Sequence, residues 1–89
     1  MKIQISRQFA KDTGKLNDAR IQAKIRKVLE EAQAAQSLAE IADIEPMEGH
    51  PGFYRIKFDY RYRMGIYSDG ETVQFLRVGA RGDFYKRFP

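Results

Sequence analysis

Phe53-Tyr54-Arg55-Ile56-Lys57-Phe58 and Tyr62-Arg63-Met64-Gly65-Ile66-Tyr67, joined through Asp59-Tyr60-Arg61, change the hydrophobic period of the chain to two. Tyr54, Ile56 and Phe58 fall on one face of an extended segment and Arg55 and Lys57 on the other. Tyr62, Met64 and Ile66 likewise oppose Arg63, Gly65 and Tyr67. Ser68-Asp69-Gly70-Glu71 then carries an Asp-Gly pair, a strong tight-hairpin signal. It leads into Thr72-Val73-Gln74-Phe75-Leu76-Arg77-Val78, apolar enough to lie inside a sheet. The predicted result is an antiparallel meander, followed by a tail from Gly79 to Pro89 that folds back on it.

Upstream the period is helical. Ile3 and Ile5 alternate with Lys2 and Gln4 as a short strand, and Ser6 is placed to cap a short helix carrying Phe9 and ending near Gly14. Asn17 or Asp18 caps a longer helix running to about Gln36. Its Ile21, Ile25, Val28, Leu29 and Ala32 follow the i, i+4, i+7, i+8 spacing of one buried stripe. Ser37 to Ile41 reads as a further short helical turn, and Pro46, Gly49, Pro51 and Gly52 mark a loop. The fold class expected is α+β, one small domain over 1–89 in the order β-α-α-β-β-β, with two helices packed on one face of an antiparallel sheet.

With 89 residues and no cysteine, the chain has no disulfide and no thiol chemistry. Neither a signal peptide nor an apolar run near the roughly 20 residues of a membrane span is visible. The expectation is a soluble, cytoplasmic protein with no membrane partner. The formal net charge is +4, and its location is informative. Residues 1–54 hold eight Lys/Arg and eight acids, whereas residues 55–89 hold eight bases against four acids. All the excess positive charge therefore lies in the last 35 residues, where it attracts polyanions. Alternation puts Arg55, Lys57 and Arg63 on the face away from the helices, with Arg81 and Tyr85 following the next strand. No acid interrupts the alternating part of those two strands. An anionic ligand would account for the tolerated repulsion; a merely solvated sheet face is the bland alternative.

Tyr54-Arg55-Ile56-Lys57, Tyr62-Arg63 and Leu76-Arg77-Val78-Gly79-Ala80-Arg81-Gly82-Asp83-Phe84-Tyr85 together resemble the signature of the RelE/ParE toxins of bacterial type II toxin–antitoxin systems. The likeness spans nearly the whole chain, and the C-terminal segment is its most specific part. In the RelE branch it implies a ribosome-dependent mRNA endoribonuclease that needs neither metal nor cofactor. The 2′-hydroxyl attacks its own 3′-phosphate, leaving a 2′,3′-cyclic phosphate and a free 5′-hydroxyl. The resemblance implies Tyr85 as general base, Arg81 at the scissile phosphate and leaving group, Arg63 as a phosphate clamp, and Arg55 and Lys57 as further phosphate contacts. A free tyrosine has a pKa of about 10, so such a base needs guanidinium neighbours that favour the phenolate. The rival role for Tyr85 is a buried aromatic anchoring the tail.

Ala80 stands where many relatives carry histidine or lysine, so no histidine acid or base is available there. The single histidine, His50, lies in the loop between Gly49 and Pro51 and is a poor metal-site signal. The partners implied are a cognate antitoxin laid across the sheet, mRNA on the ribosome, and operator DNA only through the antitoxin complex. The ParE branch, which poisons DNA gyrase, is the alternative inside the family. A non-catalytic nucleic-acid-binding module is the alternative outside it, needing the basic face and exposed aromatics for stacking, but not Tyr85.

Overall fold

The structure, a computed structural model, describes residues 1–89. Strand β1 (Lys2–Ile5) leads through helices α1 (Arg7–Gly14) and α2 (Ala19–Ala34) and a single 3-10 turn (Leu38–Glu40) to β2 (Ile44–Pro46), β3 (Phe53–Ile56), β4 (Tyr62–Ser68), β5 (Thr72–Ala80) and helix α3 (Arg81–Arg87). The five strands form one sheet in the order β1-β5-β4-β3-β2, an α+β architecture.

Both long helices begin where short polar side chains can satisfy their free amides. The Ser6 hydroxyl accepts from Phe9 N–H at 2.9 Å and donates to Leu76 O at 3.1 Å, so the same cap ties α1 to β5. Asp18, not Asn17, caps α2, its Oδ1 accepting from the backbone amides of Arg20 at 2.8 Å and Ile21 at 3.4 Å. At the other end of α2 the N-terminal ammonium donates to the carbonyls of Ala32, Gln33 and Ala35. A cation there opposes the negative pole of the helix.

The apolar stripe of α2 meets the inward face of the sheet as its spacing requires. Ile21, Ile25, Val28 and Ala32 pack with Phe9, Ile56, Met64, Ile66, Val73, Phe75 and Val78. The rings of Phe9 and Phe75 sit edge to face with centroids 5.6 Å apart. Val73 and Phe75 differ by two residues, but Phe75 and Val78 by three, so strict alternation would turn Val78 outward. Gly65 pairs with Arg77 and Ile66 with Phe75, which leaves Leu76 as the extra residue of a bulge and returns Val78 to the core.

Three features depart from the expected meander. First, β1 pairs parallel with β5, Ile3 opposite Val73, so that β5 is interior. A parallel neighbour is reached only by a long connection, here the rest of the fold. Second, Ile44–Pro46, read as approach to a loop, forms an edge strand against β3, with Glu45 opposite Arg55. Three residues ending in proline are too few to show a period, and proline is tolerated on an edge. Third, the tail is helical. Its Phe84 and Phe88 stack at 5.2 Å, and Phe88 meets Phe53, itself against Tyr67, on the face away from α1 and α2. Gly65 is the slot for this tail, since a Cβ there would lie 2.6 Å from the Phe88 ring.

Past the short β1, the open edge of β5 is covered by α1. Ser6 N–H donates to Phe75 O at 3.0 Å, and the Asp12 carboxylate takes Val78 N–H at 3.1 Å. Asp12 is buried, and it also accepts from Gln8 Nε2 at 2.9 Å and from Arg77 Nε at 3.0 Å. A buried carboxylate is tolerable because every oxygen has a donor.

Candidate functional site

Helix α3 starts at the end of β5 with Ala80 as its cap residue, and Ala80 offers no side-chain hydrogen bond. The Arg81 amide instead donates to Arg61 O at 2.7 Å, fastening the first residue of α3 to the turn between β3 and β4. Positions four apart share a helix face. Phe84 and Phe88 turn inward, 3% and 6% exposed, and Arg81 and Tyr85 share the outer face. Tyr85 is 46% exposed, its ring edge against Phe84 at 5.1 Å. The anchoring of the tail thus falls to the two phenylalanines, and the phenol is presented to solvent.

Arg63 lies elsewhere than alternation implied. It is buried, and Nη1 donates to the carbonyls of Asp59 at 2.9 Å, Tyr60 at 3.3 Å and Tyr62 at 3.0 Å. Its Nε has no partner. The Asp59–Tyr62 turn points its carbonyls inward, and the guanidinium is drawn in to satisfy them. The expected freely presented phosphate clamp is, in this conformation, the internal clamp of a turn.

Arg55 does project from the face carrying Gly65 and Phe88, where it meets Glu45 at 2.9 Å. The Glu45 side chain is 67% exposed, so the pair is weakly held and open to competition by phosphate. Lys57 does not join Arg55. Strand β3 stops at Ile56, Lys57 N–H donates to Asp43 O, and the residue lines a cleft of about 220 Å³ with Lys24, Lys27 and Glu31 beside α2. Two further cations escaped the sequence reading. Lys15 and Arg87 line a cleft of about 200 Å³ with Tyr62, Ala80 and Asp83 where α1, β5 and α3 meet. They come from opposite ends of the chain, and no local spacing signals their meeting.

The β3–β4 turn brings an acid together with two cations of α2. The Lys24 ammonium at 2.7 Å, aided by the Arg61 amide at 2.9 Å and Arg20 at 3.2 Å, holds the Asp59 carboxyl down at about 2. Asp69 is also lowered, by the amides of Thr72 and Glu71 in the β4–β5 hairpin, where Gly70 takes a φ of +98°. His50 is exposed on its loop, and no three His, Asp or Glu side chains come together in a way that could hold a metal ion.

The fold and this basic, aromatic C-terminal helix define a class that known proteins share. No protein-family model matches the chain. Toxin RelE3 of Methanocaldococcus jannaschii is 36% identical over 90 residues, covering all of both chains. The crystal structure of a RelB–RelE antitoxin–toxin complex from Methanococcus jannaschii superposes with a TM-score of 0.80 at 34% identity, over 97% of this chain and 99% of that one. YafQ from Escherichia coli BL21(DE3) shares the fold with a TM-score of 0.71 at 19% identity, over 92% of this chain and 94% of that one. The chain belongs to the RelE family of toxins.

Proposed function

We propose that residues 1–89 act as one domain, the toxin of a toxin–antitoxin pair, which inhibits translation by cutting mRNA on the ribosome without a metal. The observation that carries this is the joint presentation of Arg81 and Tyr85, one turn apart on the solvent face of α3, in a full-length relative of RelE3. In the proposed reaction Tyr85, as general base, takes the proton of a 2′-hydroxyl. O2′ attacks the adjacent phosphorus, and the bond from phosphorus to O5′ breaks. Arg81 balances charge developing on the phosphoryl oxygens and the leaving oxygen, which takes a proton from water. The products are a 2′,3′-cyclic phosphate and a 5′-hydroxyl. Arg55 and Lys57 extend the positive field along the RNA. Arg63 acts at one remove, by holding the turn to which Arg81 is bonded.

An exposed site of this kind requires an inhibitor in the producing cell. The cognate antitoxin is proposed to cover the Arg81/Tyr85 face, as RelB partners RelE in the M. jannaschii complex, and to bring the pair to operator DNA through its own DNA-binding part. The test is inducible expression in a bacterium of the wild type, Arg81→Ala and Tyr85→Phe, with mapping of mRNA 5′ ends. Wild type alone should arrest growth and cut inside reading frames. Arrest with intact mRNA would replace this reading by gyrase poisoning, and equal cutting by both variants would remove Arg81 and Tyr85 from the chemistry.

A further inference from the structure

The β3–β4 connection is held far more firmly than a link between two antiparallel strands requires. Arg63 places its guanidinium in the interior, with Nε unpartnered, to gather the carbonyls of Asp59, Tyr60 and Tyr62. Burying a charged group with an unmet donor is unfavourable, so some other gain must accompany the arrangement. Asp59 fastens the same turn to α2 through Lys24 and Arg20. Arg61 O receives the Arg81 amide, which fastens it to α3. At the tip of this tethered turn stands Tyr60, 78% exposed, against 49% for Ile5 and 46% for Tyr85. Its side chain makes no hydrogen bond, and its ring pairs with no other aromatic.

Two guanidinium groups and two carboxylates border the ring. Arg61 is exposed and the Arg20 side chain is 63% exposed, and both line with Tyr60 an open, largely polar cleft of about 390 Å³. Asp18 and Asp59 line the same cleft and balance its two arginines; the excess of +2 comes from Lys24, bound to Asp59, and Arg63, buried beneath the turn. An exposed ring on a held turn, with guanidinium groups beside it, suits a single-stranded nucleic acid: the base stacks on the ring while cations meet the phosphates. Holding the turn's backbone beforehand lowers the ordering penalty on binding.

We infer that Tyr60 is a stacking platform for a base of single-stranded RNA, with Arg61 and Arg20 contacting the flanking phosphates. This deepens the RNA-cutting reading and rests on it, because the bond from Arg81 N–H to Arg61 O places the platform beside the residue proposed to act on the scissile phosphate. A strand engaged at Arg81 passes the turn.

The test uses the whole chain and a short labelled RNA, 2′-O-methylated so that it cannot be cut, with affinity read by fluorescence anisotropy. Tyr60→Phe keeps the ring and should bind within about twofold of wild type. Tyr60→Ala should weaken binding about five- to a hundredfold. An RNA abasic at the stacked nucleotide should bind both variants alike. Thermal melting should be the same for all, since the Tyr60 side chain holds nothing in place. Equal affinity of Tyr60→Ala and wild type would overturn the inference. So would a wild type that does not bind the RNA, or a Tyr60→Ala defect confined to an antitoxin peptide. The cutting reading fails by a different result: a wild type that never cuts mRNA yet binds the methylated RNA in a Tyr60-dependent way would leave the platform standing and remove the nuclease.

Discussion

Replacing Gly65 with alanine adds one methyl group under the C-terminal helix, and the structure says where it goes. The new Cβ would lie 2.6 Å from Cδ1 and Cε1 of Phe88 and 2.7 Å from Cδ2, against the roughly 3.5–4 Å of ordinary carbon contact. The ring must therefore move by about 1 Å or leave. Overpacking of this kind costs about 1–3 kcal/mol, and expelling Phe88, now 6% exposed, forfeits a burial of about 1.5–3 kcal/mol. Alanine returns about 0.5–1 kcal/mol through its better backbone entropy in a strand. The net expectation is a loss of about 1–2 kcal/mol, a fall of about 1 M in the urea midpoint for a domain of this size. Tyrosine fluorescence can follow the transition, the chain having no tryptophan. The decisive measurement is a double-mutant cycle with Phe88→Ala, in whose background Gly65→Ala should be neutral or stabilising. Because Phe88 anchors the helix that presents Arg81 and Tyr85, RNA cutting should fall with Gly65→Ala more than global stability does. An equal cost of Gly65→Ala in both backgrounds would refute the slot, and with it the tail's attachment to β4.

Other perturbations probe separate parts of the fold. Asp12→Ala strips the charge partner from Arg77 and the acceptor from Val78 N–H; a loss of about 2–4 kcal/mol is expected in urea unfolding, with the C-terminal side of α1 released from β5. Asp59 has a folded pKa of about 2, below its ordinary value of 3.8, so its contribution is present above about pH 4 and disappears as pH falls towards 2. Allowing for screening of the exposed Arg20 and Lys24, that contribution is on the order of 1–2 kcal/mol, and Asp59→Asn should flatten the stability profile between pH 4 and 2. Glu45→Ala should change stability by no more than about 0.5 kcal/mol while raising affinity for RNA, since it frees Arg55 and removes an anion from the same face; anisotropy at two salt concentrations checks it.

Much of this protein was legible in its local patterns. The caps at Ser6 and near Asp18, the four-and-seven spacing of Ile21, Ile25, Val28 and Ala32, and the alternation through Met64 and Ile66 each depend on neighbours within a few residues. The first two helices and the three successive strands follow from them. The resemblance carried by the segment from Leu76 to Tyr85 reached the toxin family by the same short-range route.

Tertiary structure alone decided the rest, because the deciding partners are distant in sequence. The pairing of β1 with β5 joins residues about 70 positions apart, and the union of Asp12 with Arg77 crosses 65. Alternation states on which face a side chain begins but not what it finds there. Arg55 met an edge-strand carboxylate, Arg63 met three inward carbonyls, and Lys57 lay one residue beyond the end of its strand. A long cation goes where unpaired acceptors are, and the positions of those acceptors exist only once the chain has folded.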